Sequence, residues 1–561
     1  MLRFRLKFVL FTLLAIGLFL FVRLYYLQMI RGSEYAEVSK NQTLGNSKIF
    51  DRGNIFFQNQ DGSLLSAATL KDGYTLAINP SQIIDAKSVY EKLIKILDFS
   101  SEDFFAKASK TVDPYEEILR RLEPDAGKEI LAQNIPGVVV SNERWRYYPG
   151  KNLASHVLGM VGADNKNRGY GLEKYYEANL NHDNKNLYKN FFAEIFSTVD
   201  KATSNKEALE ADIVTSLNPD LQAFLEQELN SVKKQYSADT VGGIIINPKT
   251  GEIFAMSGKP DFDPNDYGKE DVSTFTNPLV SNMYELGSII KPLTIAAGLD
   301  AGVIKADTTY MDTGCMTIDK KTFCDHDKKA HGKTTMQEVL NQSLNLGVAF
   351  VTQKLGNQKF ADYFMNFGLG QPTGIDLPNE VAGNIKNLKS TRDIEYMTSS
   401  FGQGISMTII QAARALCTLA NGGSLITPHI VNKINYDLGF SKDINPAPKT
   451  GIIKKETSEE ITRMLVEAVD KALLGGKYKN EHYSVAAKTG TAQMFNPAGG
   501  YYDDRYLHSF FGYLPAYDPH FLILLFAVNP KNVNFASDTL TQPFMNLTKF
   551  LINFYQLPPD R

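Results

Sequence analysis

The sequence predicts a mixed α/β catalytic fold, preceded by an elongated α+β module and one membrane-spanning helix. Three observations predict it. From Val241 onward apolar strand-like runs alternate with helical patterns, and Ser509-Phe-Phe-Gly-Tyr513 and Phe521-Leu-Ile-Leu-Leu-Phe-Ala-Val528 read as adjacent core strands of one sheet. Residues 34 to about 235 have another texture, with short elements, many charges and no cluster of catalytic residue types. Phe8 to Tyr26 is apolar except for Arg23, about 19 residues against the roughly 20 that cross a bilayer.

Taken in order, the N-terminal segment reads as an uncleaved signal anchor. Arg3, Arg5 and Lys7 precede it, which places the N-terminus in the cytoplasm. Arg23 can snorkel outward, Tyr25 and Tyr26 suit the outer interface, and no Ala-x-Ala cleavage site follows. The expected division is 1–30 for the tip and anchor, 31–235 for a non-catalytic pedestal, and 236–561 for the catalytic domain. Pedestal landmarks are Asp51-Arg-Gly-Asn-Ile55, Arg144-Trp-Arg-Tyr-Tyr-Pro149, Ala154-Ser-His-Val-Leu-Gly159 and Gly171-Leu-Glu173. Trp145 reads as a packing anchor and His156 as a structural hydrogen-bonding group.

Composition narrows the classes. A net charge of −3 gives no electrostatic reason to expect nucleic acid as a partner. Eight scattered histidines and three cysteines show no metal-ligand spacing, so no metal and no cofactor are expected.

The functional signal is Tyr284-Glu-Leu-Gly-Ser-Ile-Ile-Lys-Pro292. A helix starting at Ser288 puts Lys291 on the same face, about one turn away. Gly287 permits a sharp entry, and a buried lysine there can lose its proton and act as base for the hydroxyl. Ser343-Leu-Asn345 and Lys488-Thr-Gly-Thr491 follow in chain order. Decoys exist and fall away by context. Ser231-Val-Lys-Lys234 reads as a solvated helix face, Lys249-Thr-Gly251 as a hairpin turn, and Lys449-Thr-Gly451 as a loop before a helix. Ser216-Leu-Asn218 and Ser39-Lys-Asn41 precede the nucleophile and are discarded. Only Lys488 keeps both the order and a strand context.

Ser-x-x-Lys, Ser-x-Asn and Lys-Thr-Gly in this order resemble the serine acyl-transferase superfamily of penicillin-binding proteins and class A β-lactamases. With the pedestal landmarks, Thr373-Gly-Ile-Asp-Leu-Pro378, Gly402-Gln-Gly-Ile405 and Asn421-Gly-Gly423, the whole layout resembles class B penicillin-binding proteins, most of all the division-specific penicillin-binding protein 3 type. That resemblance implies an antiparallel sheet flanked by helices plus a helical lobe, and a monofunctional peptidoglycan D,D-transpeptidase inhibited covalently by β-lactams. It also implies peptidoglycan stem peptides as substrate, and a SEDS-family glycan polymerase and division proteins as membrane partners. Asn345 favours the division role, since many elongation enzymes carry Asp there. An elongation-type transpeptidase, a D,D-carboxypeptidase, a β-lactam sensor or β-lactamase and a catalytically idle scaffold are the alternatives. Two positions depart from the family pattern: Leu286 stands where Pro is usual, and Val214-Thr-Ser-Leu217 where Leu-Thr-Ile-Asp is usual.

The expected chemistry follows. Ser288 attacks the penultimate D-Ala carbonyl and releases D-Ala, with Lys291 as base, its pKa lowered by desolvation and by Lys488. Ser343 relays the proton, Asn345 holds the substrate amide or orients Lys291, and Lys488, Thr489 and Thr491 bind the terminal carboxylate on the strand that carries Gly490. Backbone N–H groups of Ser288 and Thr491 form the oxyanion hole.

Cys315 and Cys324 bracket an alternating run with Asp319-Lys320 at its midpoint. A two-residue turn there opposes the two cysteines across an antiparallel pair, close enough for a disulfide that braces the segment ahead of Ser343. Asp-Lys lacks the Gly or Asn that such turns prefer, which leaves a longer loop and two free thiols as the alternative. Cys417 reads as a buried core thiol.

Overall fold

The computed structural model describes residues 51–162, 169–181, 210–437 and 439–561. The expected anchor, Phe8 to Tyr26, lies outside them, as does Ser39-Lys-Asn41. Among the described residues no helix is long and apolar enough to cross a membrane.

Two compact units emerge, one holding 70–145 and the other 52–69, 146–181 and 210 onward. The smaller unit packs helices Ala86–Leu93, Ser101–Ala108 and Pro124–Ala132 with strands Glu116–Leu122 and Val138–Tyr147 around Leu76, Val89, Leu93, Phe104 and Ile118. Asp85 and Ser100 start the first two helices by accepting first-turn N–H groups. Trp145 is buried, as expected of a packing anchor.

The larger unit is built on a five-stranded antiparallel sheet in the order Ala486–Phe495, Tyr501–Leu514, Phe521–Val528, Thr240–Ile246, Ile253–Lys259. Ser509 to Tyr513 and Phe521 to Val528 are neighbours, as their composition predicts. The run Phe521–Val528 is apolar without alternation because both faces are covered. Helices Pro219–Tyr236 and Ala536–Phe554 cover one face, with Phe224 stacked on Phe550 at 4.4 Å. Asn218 caps the first of these by accepting the Leu221 N–H, with Pro219 at the first helical position. The Ser216-Leu-Asn218 decoy is thus a helix start. On the other face sit helices Lys291–Asp300, Ile409–Ala420 and Lys455–Glu467. Further helices, among them Met336–Gln342, Asn345–Leu355 and Asn357–Asn366, make up the helical lobe. The other decoys also keep to their contexts. Ser231 and Lys234 are exposed on a helix, Lys249 lies between Thr240–Ile246 and Ile253–Lys259, and Lys449 is exposed ahead of helix Lys455–Glu467.

The pedestal landmarks of this unit converge on one buried carboxylate. Glu173 accepts from Arg52 Nε and Arg146 Nε, each at 2.6 Å, and from the Tyr148 hydroxyl at 3.2 Å. Burial alone would raise its pKa, yet Arg146 and Arg52 outweigh that and hold it below the usual carboxylate range. His156 bonds the Thr274 carbonyl at 2.8 Å and stays neutral, its pKa pushed down to about 4 by burial.

Candidate active site

Ser288 lies in a 3₁₀ turn, Gly287–Ile290, that runs into the α-helix Lys291–Asp300. The α-helix therefore begins at the lysine rather than at the serine. Gly287 has φ +62°, and a Cβ there would sit 2.9 Å from the Thr491 carbonyl oxygen. Gly402 faces the same turn, where a Cβ would lie 2.4 Å from the Gly287 oxygen. The strand Ala486–Phe495 comes close to the turn for a similar reason: a Cβ on Gly490 would meet the Leu286 carbonyl at 2.7 Å. Leu286, which replaces the usual proline, is buried, and its carbonyl accepts the Ser509 hydroxyl at 2.8 Å. That bond and the close backbone approach hold the turn in place of a proline ring.

Lys291 is fully buried. Its Nζ donates to the Ser343 carbonyl and reaches the Ser343 Oγ at 3.3 Å. Lys488 Nζ donates to the same Oγ at 3.0 Å and to the Thr489 carbonyl at 3.0 Å. Burial, and then the neighbouring Lys488 ammonium, push Lys291 well below the ordinary lysine range, against a pull upward from Asp325. Burial lowers Lys488 to about 8. Ser343 sits between helices Met336–Gln342 and Asn345–Leu355 with φ +59° and ψ +44°, so both its oxygens turn toward the lysines instead of continuing a helix. Two amines on one hydroxyl, with the half-buried Ser288 on the glycine-entered turn that leads into Lys291, can move a proton off and onto a reacting group.

The family description for the penicillin binding protein transpeptidase domain matches residues 241–548, and that for the penicillin-binding protein dimerisation domain matches 50–190. The chain belongs to this family. Stage V sporulation protein D of Bacillus subtilis is 32% identical over 96% of this chain and 84% of its own length. The probable peptidoglycan D,D-transpeptidase PenA of Neisseria gonorrhoeae is 25% identical, covering 99% and 94%. A crystal structure of penicillin binding protein 3 from Mycobacterium tuberculosis complexed with ampicillin shares the fold, with a TM-score of 0.69 at 23% identity, over 91% of this chain and 96% of that one.

Within this penicillin-binding transpeptidase the remaining motif residues have distinct surroundings. Asn345 Nδ2 donates to the Cys324 carbonyl at 2.7 Å, which ties the Ser-x-Asn segment to the cysteine hairpin. Thr489 is half-buried on the strand, while Thr491 Oγ1 accepts the Ala536 N–H at 3.0 Å and keeps its own proton to donate. Strands Cys315–Ile318 and Lys321–Cys324 pair Ile318 with Lys321 and Cys315 with Cys324, and the two sulfurs are bonded. Asp319 and Lys320 both take positive φ, +49° and +62°, so the tight turn forms without glycine or asparagine. Asp319 also accepts the Ile394 N–H at 3.0 Å, which helps hold it. Cys417 is free and buried. Unfolded, unreduced protein should therefore show one free thiol by titration; three would contradict the bridge.

Residues without a motif were missed. Tyr501 donates to Glu285 at 2.9 Å, linking the base of the strand pair Ala486–Phe495 and Tyr501–Leu514 to the segment before the nucleophile. Asp325 accepts the Asn345 and Leu346 N–H groups. Its position directly after Cys324 was the one sequence signal available.

Proposed function

We propose that the protein is a peptidoglycan D,D-transpeptidase acting in septal wall synthesis through an acyl-enzyme on Ser288. One observation carries this: the buried Lys291 amine and Lys488 meet on Ser343, and Lys291 opens the helix that the Ser288 turn runs into. Neutral Lys291 takes the Ser288 proton as the hydroxyl oxygen bonds the penultimate D-Ala carbonyl carbon. The tetrahedral oxyanion is received by the Ser288 and Thr491 N–H groups, a term worth about 3–4 kcal/mol per donor. Collapse breaks the D-Ala–D-Ala amide bond, and Ser343 passes a proton to the leaving amine. Lys488, with Thr489 and Thr491, holds the terminal carboxylate, and Asn345 the substrate amide. The amine of a neighbouring stem then attacks the ester and restores Ser288.

A β-lactam enters as the acyl donor, so incubation with a fluorescent penicillin should leave one label, on the peptide containing Ser288. With uncross-linked glycan strands bearing pentapeptide stems, cross-linked dimers and free D-Ala are expected. Trimmed stems without dimers would make it a carboxypeptidase.

Lys488 must be charged to hold a carboxylate, and Lys291 must be neutral to act as base. Acylation should rise with pH through the lowered Lys291 value and fall as pH passes about 8. A rate constant for penicillin acylation that stays flat well above that pH would remove Lys488 from carboxylate binding.

The resemblance also supports a single-pass anchor with the catalytic domain outside the cytoplasmic membrane, the 31–235 and 236–561 division, and a SEDS-family polymerase and division proteins as partners. A reporter active only in the cytoplasm, fused near Arg561, should be silent; activity there would refute that topology.

A further inference from the structure

Helix Asn345–Leu355 follows directly on Ser343, and its own N-cap residue, Leu344, has no side chain able to accept the first N–H groups. A carboxylate from another segment supplies what is missing. Asp325, buried at 2% exposure, accepts the Asn345 N–H and, at 3.1 Å, the Leu346 N–H through Oδ1. The preceding residue, Cys324, takes the Asn345 side chain on its carbonyl. Two consecutive residues thus hold both the backbone and the side chain of Asn345, two residues from Ser343, whose oxygens meet Lys291.

The other oxygen of Asp325, Oδ2, is buried with no hydrogen-bond partner. A second buried carboxyl, Asp312, acts on it. Asp312 is well supplied with donors: the Tyr310 hydroxyl, the Gly314 N–H at 2.8 Å and the His331 N–H at 3.3 Å. Two buried carboxyls acting on each other do not both ionise cheaply, so Asp312, with more donors, ionises first and Asp325 gives up its proton at higher pH than an ordinary carboxyl. Burial, with Asp312 adding to it, raises Asp325 to about 6 although the two N–H groups oppose this. Tyr310, Lys291 and His331 act on the pair or bond it, and His326, Asp327 and Lys488 follow through their interactions with Lys291 and His331. Lys291 and Tyr310 both feel the Asp325 charge, and Lys291 is the one of the two in the Ser343 cluster.

We propose that Asp325 is a positioning residue for acyl transfer, which fixes Ser343 and Asn345 through the N-terminus of their helix and serves as the counter-charge of Lys291. The proposal rests on the reading of Lys291 as the base. Ionised Asp325 stabilises the Lys291 ammonium and keeps the base protonated to higher pH; neutral Asp325 releases it.

Asp325→Asn keeps an oxygen for the two N–H groups and puts an amide donor where Oδ2 faces Asp312, but it removes the charge. Asp325→Ala removes the cap as well. With a fluorescent penicillin followed across pH, Asp325→Asn should keep the plateau acylation rate and move the acid limb to lower pH. Asp325→Ala should lose about ten- to a hundredfold at every pH, as misplacement of a reacting group does. An acid limb unchanged in Asp325→Asn overturns the proposal, whether or not Asp325→Ala folds. If the unaltered protein takes no label on Ser288, the transpeptidase reading fails first, and the two failures are told apart by that control.

Discussion

Ser288→Ala should abolish covalent labelling by penicillin and leave the melting temperature essentially unchanged. The two halves of this expectation come from different facts. Ser288 is half-buried, in a 3₁₀ turn whose neighbours Gly287, Ile289 and Ile290 are the buried ones. Loss of one hydroxyl there removes little packing, and such changes usually stay within about 0.5 kcal/mol. The turn is held by other groups, namely the Ser509 bond to Leu286 and the close backbone approach of Gly402 and Gly490. Ser343 is the motif hydroxyl that bonds both lysines, and it is fixed as their acceptor with its backbone in the left-handed region. Stoichiometric label in the variant, mapped to Ser343 or anywhere else, would defeat the assignment.

How far the site was legible follows from what each residue needs locally. Ser288, Lys291, Ser343, Asn345 and Lys488 stand in short motifs whose spacing reflects one turn, one helix junction and one strand. A chain read in order finds them and rejects Lys249 and Lys449 by context. The sheet was legible where both faces are covered, because Phe521–Val528 then shows no polar alternation. The α-helix begins at Lys291 and not at Ser288 because a 3₁₀ turn leads into it, as such turns often do at α-helix N-termini. The cysteine register could be counted out from Asp319-Lys320, but not the willingness of those two residues to take positive φ. That depends on Ile394, distant in sequence. The Arg52–Glu173–Arg146 hub and the Asp312–Asp325 pair were illegible for a stronger reason. A lone Glu or Asp in a charged stretch looks solvated until the fold brings a distant partner to it. Their burial is a tertiary fact.

Lys291→Met should lower acylation by about a hundred- to ten-thousandfold, the usual worth of a positioned base, while making the folded protein more stable at neutral pH. Lys291 is fully enclosed, next to another amine. In the unfolded chain its side chain is an ordinary lysine, charged at neutral pH, whereas in the fold burial and Lys488 disfavour that charge. Folding therefore expels a proton at a free-energy cost, and methionine, similar in length and uncharged, avoids it. The sign can be checked against pH. Because the folded pKa lies below the unfolded one, the native state binds fewer protons, and the unaltered protein gains stability as pH rises between the lowered value and about 10.4. Lys291→Met lacks that gain, so its advantage in thermal melts should be largest at neutral pH and shrink toward alkaline pH. The Ser343 carbonyl loses one donor in the variant, an offset of about 1 kcal/mol, while Lys488 still donates to the Ser343 hydroxyl. A variant with unchanged acylation would take the base role from Lys291. A variant less stable than the parent at neutral pH, with a gap that stays constant through the neutral range and closes only above about 10.4, would show that the buried amine is held charged and balanced, and the neutral-amine mechanism would fall with it.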